Sequence, residues 1–209
     1  MKDTFFNISK DKQRNLVQAC LEEFSAHNYE SSSINRIIKI AGISKGGLYR
    51  YISSKRDLYI YVISNIMEEV ISYQASHISE SETCLFIRIK TLLTYGFEYY
   101  EHNQLAFRVI LNGFYDITSP VYDKIGQIRK CLIKKHQDNL IEGINWQQYN
   151  LSKEKVLTVA EYLIEGFNMI LLKKMSSNIA LEEFKNIVNE DIEILISTLR
   201  KGLIGGHSC

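Results

Sequence analysis

Residues 33–58 read SINRIIKIAGISKGGLYRYISSKRDL and contain two short helical patterns separated by a tight turn. The first pattern repeats isoleucine at helical spacing up to Ala41, and Gly42 can then take the left-handed conformation that closes a helix. Ser44 can cap the second helix, which we expect over residues 45–51. Two short helices joined by a glycine-containing turn are typical of a helix-turn-helix.

The second of these helices has two chemically different faces. Leu48 and Ile52 lie four residues apart and therefore share one face, which we assign to the core. The opposite face carries Lys45, Tyr49 and Arg50, whose polar groups are those that hydrogen-bond phosphates and base edges. The segment therefore has the chemistry of a DNA-reading helix.

Two consecutive glycines, Gly46 and Gly47, lie inside this short helix. A glycine in a helix costs about 0.8–1 kcal/mol relative to alanine. Residues that are unfavourable for the local structure are expected where function requires them. Here the glycines would allow close approach of the backbone to a partner such as DNA. The alternative interpretation is that the segment is a loop between two helices.

The helices on either side extend this pattern. Apolar residues at helical spacing predict an amphipathic helix over residues 10–27. Ser54 and Asp57 have the form of a capping box that opens a further helix, which continues to about Gln74. Lys55 places a positive charge at the start of that helix, where free backbone N–H groups also attract phosphate.

The remaining sequence predicts four or five more helices, over about 84–101, 104–114, 119–143, 153–175 and 181–203. Polar or proline-containing breaks separate them, the last break being Ser176 to Asn178. No segment shows sustained β alternation, so we expect an all-α protein. We predict an N-terminal three-helix DNA-binding head, residues 1–54, joined by a long helix to a helical domain, residues 55–209.

Charge and motifs narrow the function classes. Residues 1–59 carry ten Lys and Arg against six Asp and Glu, and the rest of the chain carries 15 against 18. A basic head on an acidic body fits a polyanion-binding module, although so small a difference carries little weight. Nucleophile elbow, P-loop, dinucleotide-binding and zinc-protease motifs are missing from the sequence, and its five histidines are scattered. We therefore expect no enzyme activity, no cofactor and no metal.

The chain opens without the apolar core of a signal peptide, and no run approaches the roughly 18 apolar residues of a membrane span. The four cysteines form no C-x-x-C pair. We expect a cytoplasmic protein with reduced thiols and no membrane partner.

About residues 10–60 resemble the DNA-binding domain of the tetracycline-repressor (TetR) family. The family motif runs A-G-(V/I)-S-x-G-x-L-Y-x-(H/Y)-F and then S-K-x-x-L. Here it stands as AGISKGGLYRYI, residues 41–52, followed by SKRDL, residues 54–58. Asn28, Ile38 and Ile52 depart from the usual glycine, alanine and phenylalanine. These are turn or packing positions.

The resemblance implies roles for individual residues. Ser33 and Ser44 would cap helices beside the DNA. Lys45 and Gly46 would lie nearest the bases. Tyr49, Tyr51 and Lys55 would hold phosphates, and Arg50 occupies a variable position that could read a base. The predicted DNA-binding residues are Ser33, Ser44, Lys45, Gly46, Gly47, Tyr49, Arg50, Tyr51 and Lys55.

Less can be carried over to the helical domain. The resemblance implies that the last two helices pair with their copies in a homodimer, although their apolar stripes fit the core of a monomer equally well. It also implies an effector cavity among the middle helices, which are rich in aromatic residues. Such side chains line apolar pockets, but more often they are plain core. The candidate pocket residues are Tyr95, Tyr99, Phe107, Phe114, Trp146 and Phe167.

The function that follows is a ligand-responsive transcriptional regulator. We expect a homodimeric repressor that binds double-stranded operator DNA and is released by a small, mainly hydrophobic effector. An activator is equally compatible with the sequence. The alternative from another class is a helical ligand-binding or scaffold protein without DNA-binding activity, against which the retained Lys45, Tyr49 and Lys55 count.

Overall fold

The computed structural model describes residues 1–175 and 181–204, except for the side chains at 135–139, 168–169, 171–175 and 181–182. The predicted break at Ser176 to Asn178 lies outside the described residues. The helices are α1 (Asp3–Phe6), α2 (Lys10–Ala26), α3 (Ile34–Ala41), α4 (Lys45–Tyr49), α5 (Lys55–Ser76), α6 (Leu85–His102), α7 (Gln104–Tyr115), α8 (Tyr122–Ile141), α9 (Lys153–Met175) and α10 (Leu181–Leu203).

The described residues contain no β-strand, which confirms the all-α fold. All nine predicted helices are present as α2 to α10. Two short elements were not predicted: α1 and a 3-10 turn at Trp146–Gln148. Their few residues form too little periodic pattern to be detected from the sequence. In the described part of the chain, no helix combines the length and apolarity needed to span a bilayer.

The chain divides into two compact units. The first contains residues 1–70 and 100–135, and the second contains residues 71–99 and 136–209. The changes of unit fall inside α5, α6 and α8. The predicted domain boundary at residue 54 is the end of the sequence motif. The division into two units is instead based on packing within each unit.

The first unit contains the helix-turn-helix and buries its apolar side chains around α5. The ring of Phe24 meets the edge of the fully buried Tyr59 at 4.7 Å between centroids. Helix α7 packs along α2. The Asn112 amide on α7 donates to the carbonyl of Phe24 at 2.9 Å and so satisfies the end of α2. These contacts join α7 to the head.

The second unit has its own core between α6, α9 and α10. Phe97 of α6 packs against Phe184 of α10 at 5.5 Å between ring centroids. Arg88 is buried in this unit and donates to the backbone carbonyls of Glu82 and Leu140. Because a buried cation is costly unless it is hydrogen-bonded, these contacts let Arg88 join the loop before α6 to the end of α8.

A buried carboxylate positions the first helix of the helix-turn-helix. Ser33 occupies the N-cap position of α3, but its hydroxyl makes no capping hydrogen bond. Instead, the backbone N–H of Ser33 donates to Oε1 of Glu23 at 2.7 Å. The Arg36 guanidinium donates to the same carboxylate through Nη2 at 2.7 Å and through Nε at 2.9 Å. The expected capping by the Ser33 side chain is therefore wrong, since Glu23 supplies the negative group at this helix start.

The surroundings of Glu23 also shift its acidity. Burial alone would raise the pKa of this carboxyl group. The hydrogen bonds from Arg36 and from the Ser33 N–H, with the positive charge of Arg36, outweigh burial and hold the pKa below its usual value. Folding therefore favours the ionised form of Glu23.

We predict that Glu23→Gln lowers the free energy of unfolding at pH 7 by about 1–3 kcal/mol, because a charge-assisted pair is lost. The carboxyl group of a glutamate in an unfolded chain has a pKa of about 4.3. Because the folded pKa is depressed, the contribution of Glu23 is present above that pH and is lost as the pH falls through the folded pKa. Urea unfolding at pH 7 and at acid pH should show the difference between the two proteins shrinking in acid. An equal difference at both pH values would contradict the assignment.

Candidate nucleic-acid interface

The turn between α3 and α4 has the geometry of a helix-turn-helix. Gly42 adopts φ of +63°, which confirms the predicted left-handed closure of α3. The N–H groups of Gly42 and Ile43 both donate to the carbonyl of Ile38. The Asn15 amide on α2 donates to the carbonyl of Ala41 at 2.9 Å. The turn is thus held both by its own backbone and by α2.

Helix α4 has a buried face and an exposed face, as predicted. Leu48 and Ile52 are completely buried. Lys45, Tyr49 and Arg50 are exposed, with 39% of the Tyr49 surface accessible. The core residues therefore turn two cations and a phenol toward the outside of the molecule.

The two glycines of α4 differ in what their surroundings require. The N–H of Gly47 donates to Oγ of Ser44 at 3.0 Å, which confirms Ser44 as the N-cap of α4. A Cβ on Gly47 would lie 3.1 Å from that same Oγ, which is a tight contact. A Cβ on Gly46 would meet nothing within 4 Å. The capping contact with Ser44 thus accounts for glycine at position 47. At position 46, no contact within the protein requires glycine.

The ammonium group of Lys55 is hydrogen-bonded within the N-terminal head. Its ammonium donates to three backbone carbonyls, those of Tyr29 at 2.7 Å, Ser32 at 3.1 Å and Glu30 at 3.3 Å. It also lies over the Tyr29 ring, 4.6 Å from the centroid. An ammonium group has three N–H donors. Lys55 therefore holds the loop between α2 and α3, and its contact with a phosphate stays a prediction.

Tyr51 and Ser54 also have structural partners. The half-buried ring of Tyr51 meets the edge of Phe5 at 6.2 Å between centroids. Ser54 accepts from the N–H of Asp57 at 3.1 Å and donates to its carboxylate at 2.9 Å. The serine part of the predicted capping box is confirmed. Of the three predicted phosphate-holding side chains, Tyr49 is the most exposed.

Sequence reasoning missed the segment before α2. Lys2 and Thr4 donate to carbonyls at the end of α4, and Phe5 is completely buried. The pair Phe5-Phe6 ahead of Ser9 was the available signal, because two adjacent aromatic residues seldom precede a helix without packing on something.

The six candidate pocket residues fall in different units. Phe107 and Phe114 lie on α7 in the first unit, whereas Tyr95, Tyr99, Trp146 and Phe167 lie in the second. Tyr95 stacks on His77 at 3.7 Å between ring centroids. Trp146 packs against Tyr149, and Phe167 belongs to the buried core. Two surface pockets of the first unit, one beside Tyr61 and one beside Leu21, include none of the six. That the six candidate residues contact a ligand stays a prediction.

Comparisons with known proteins agree with this geometry. Residues 16–62 match the family model described as bacterial regulatory proteins of the tetR family. The chain is 24% identical over 166 residues to the uncharacterised HTH-type transcriptional regulator YuxN of Bacillus subtilis, covering 79% of this chain and 55% of that protein. It is 27% identical over 114 residues to the HTH-type transcriptional activator FasR of Mycolicibacterium smegmatis, covering 54% and 51%. The chain thus spans about half the length of these curated relatives.

Solved structures share the whole fold. A TetR family transcriptional regulator from Chloroflexus aurantiacus has a TM-score of 0.66 at 24% identity, covering 97% of this chain and 98% of that one. FadR from Bacillus subtilis in complex with stearoyl-CoA has a TM-score of 0.65 at 17% identity, covering 88% and 97%. Residues 16–62, which run from within α2 to within α5, are thus similar to the DNA-binding domain of the tetR family, and the solved structures show that the chain has the fold of TetR family regulators.

Proposed function

We propose that this protein is a homodimeric repressor that reads operator DNA with α4 and leaves it when a small, mainly hydrophobic effector binds. Residues 1–54 are the DNA-binding domain, and residues 55–209 bind the effector and dimerise. The observation that carries the DNA-binding part is the two-sided α4. Leu48 and Ile52 are fully buried behind it, and the exposed side combines cations with a glycine that faces open space.

The exposed side of α4 suits a DNA groove. Lys45 and Arg50 supply positive charge, and their donors match phosphate oxygens and the acceptor atoms of guanine. Tyr49 supplies a phenol for a phosphate. Gly46 has no side chain to hold the backbone away from the bases. Ser44 and Gly47 form the cap that sets where α4 begins, so we expect them to act through the shape of this helix.

We predict that Gly46→Ala weakens DNA binding at least tenfold, while the free energy of unfolding stays equal or rises by about 0.4–1 kcal/mol. The added methyl meets open space in the free protein but would collide with bound DNA. The measurements are urea unfolding and fluorescence anisotropy on a duplex that the wild-type protein selects from a random pool.

Gly126→Ala is the matched control. Gly126 also lies in a helix, α8, and a Cβ there also meets nothing within 4 Å. This variant should share the gain in stability and keep full DNA binding. If Gly46→Ala bound the selected duplex as tightly as Gly126→Ala, α4 would not approach DNA closely. If the wild-type protein selected no sequence at all, the alternative of a helical ligand-binding protein without DNA-binding activity would be favoured.

The effector class is supported by the relatives. The FadR neighbour from Bacillus subtilis was solved in complex with stearoyl-CoA. In sequence, the chain is 27% identical over 74 residues to a Bacillus subtilis protein named fatty acid metabolism regulator protein. A long acyl chain is a hydrophobic ligand, which agrees with the aromatic composition of the middle helices. We therefore propose a long-chain acyl thioester as the effector class.

Stearoyl-CoA should release the protein from its selected duplex, and coenzyme A without the acyl chain should not. A hundredfold weakening of DNA binding requires that the acyl-CoA favour the DNA-free form by about 2.7 kcal/mol. By linkage, the duplex must weaken acyl-CoA binding by the same factor. Anisotropy titrations in both directions measure the two effects. Tighter DNA binding with stearoyl-CoA would contradict a repressor that is released by effector.

The homodimer is supported by apolar surface on the last two helices. Tyr162 and Ile170 on α9 are 75% and 54% exposed, and Ile194 on α10 is 57% exposed. Large apolar side chains left open to water favour burial against another surface. A second copy is the fitting occupant, since paired recognition helices need half-sites about 34–36 Å apart.

Introducing a charge at this surface should produce monomers. We predict that Tyr162→Asp combined with Ile194→Asp halves the mass measured by light scattering and weakens binding to the selected duplex at least tenfold, because the two half-sites are no longer bound together. Ile117→Asp is the control, since Ile117 is 71% exposed but lies in the first unit. A double variant with the mass of the wild-type protein would refute this interface.

A further inference from the structure

The segment before α2 is attached to the end of α4. The backbone N–H of Lys2 donates to the carbonyl of Tyr51 at 2.7 Å, and the Lys2 ammonium donates to the carbonyl of Tyr49 at 2.8 Å. The hydroxyl of Thr4 donates to the carbonyl of Arg50. The carbonyls of Tyr49, the last residue of α4, and of Arg50 and Tyr51, which follow it, are therefore bound by Lys2 and Thr4.

The carbonyls of Tyr49 and Arg50, the last residue and the C-cap of α4, are of the kind that a helix leaves unsatisfied. The last turn of any helix has carbonyls without intrahelical partners. In α4 that turn is most of the helix, which contains five residues and two glycines. The ammonium of Lys2 also places positive charge at the negative end of the helix. Its contacts hold the peptide groups from which the side chains of Tyr49 and Arg50 project.

The segment is itself firmly held. Phe5 is completely buried, and its ring meets the edge of Tyr61 on α5 at 5.6 Å between centroids. The Gln13 amide on α2 donates to the carbonyls of Phe6 at 3.2 Å and Ile8 at 3.0 Å. Residues 1–8 thus connect α2 and α5 to the end of α4. Through this segment, the position of α2 and α5 can affect the position of that end.

We propose that Lys2 and Thr4 are positioning residues of the DNA reader, and that the sequence preference of the protein depends on them. By fixing the peptide groups of residues 49–51, they set the directions of the Tyr49 and Arg50 side chains. Phe5 is the anchor that keeps them in place. This inference rests on the proposed role of α4 in reading DNA.

The test compares Thr4→Val with Thr4→Ser. Valine has nearly the shape of threonine but cannot donate to the Arg50 carbonyl, whereas serine can. Affinities are measured for the duplex that the wild-type protein selects from a random pool and for a scrambled duplex of equal length. Thr4→Val should lose about tenfold on the selected duplex, which corresponds to the net contribution of one hydrogen bond, and little on the scrambled one. Thr4→Ser should restore the wild-type ratio of the two affinities.

The slope of affinity against salt separates positioning from a phosphate contact. Thr4→Val should leave the slope unchanged. Lys2→Met should likewise reduce the selected-to-scrambled ratio beyond the charge-matched control Lys124→Met, whose lysine is exposed on α8. Equal losses on both duplexes with a slope reduced by about one would identify Lys2 as a phosphate contact and overturn positioning.

Three further outcomes would also be decisive. A Thr4→Val variant with the wild-type ratio would overturn this inference and leave the proposed function intact. A variant whose melting temperature falls while its ratio stays constant would show a role in stability only, which overturns positioning as well. A wild-type protein that selects no sequence would instead remove the proposed function on which the inference rests.

Discussion

Burial of Leu48 and Ile52 is the contact on which the proposed DNA-reading surface depends. Helix α4 has five residues and two glycines, and isolated helices of that length are not stable in water. It exists because one of its faces is part of the core of the first unit. The same burial directs the Lys45, Tyr49 and Arg50 side chains to the exposed side, so stability and function have one physical origin here.

The rest of the head compensates for the weakness of this helix. Ser44 caps its start, Gly42 closes the helix before it, and the segment at the beginning of the chain satisfies its last carbonyls. Glu23 and Lys55 both hold the loop that leads into α3. Glu23 accepts a hydrogen bond from the N–H of Ser33, and Lys55 donates to backbone carbonyls of the loop. Because so many donors and acceptors converge on two short helices, their geometry is well determined despite their poor helix propensity.

The first unit extends beyond the helix-turn-helix to include α7. That helix packs along α2, and its Asn112 binds the carbonyl at which α2 ends. A head of about 55 residues alone would bury a smaller fraction of its surface than a larger domain does. The added helix enlarges the core beneath α3 and α4.

Helix positions, the closing glycine and the two faces of α4 could be predicted because each depends on neighbours within a few residues. Periodicity places Leu48 and Ile52 on one face, and only glycine readily adopts the backbone conformation found at Gly42. The sequence motif around Gly46 likewise resembles the TetR family motif without reference to any tertiary contact.

Tertiary structure alone decided which partners the charged and terminal residues take. Lys55 looked like a phosphate ligand by its place at a helix start, yet its donors bind carbonyls about 25 residues earlier in the chain. Ser33 looked like a capping side chain, yet Glu23 supplies the negative group. The contacts of Lys2 and Thr4 join residues 46 or more positions apart. Such pairings follow from how the helices pack against one another, and no local pattern of residues encodes that packing.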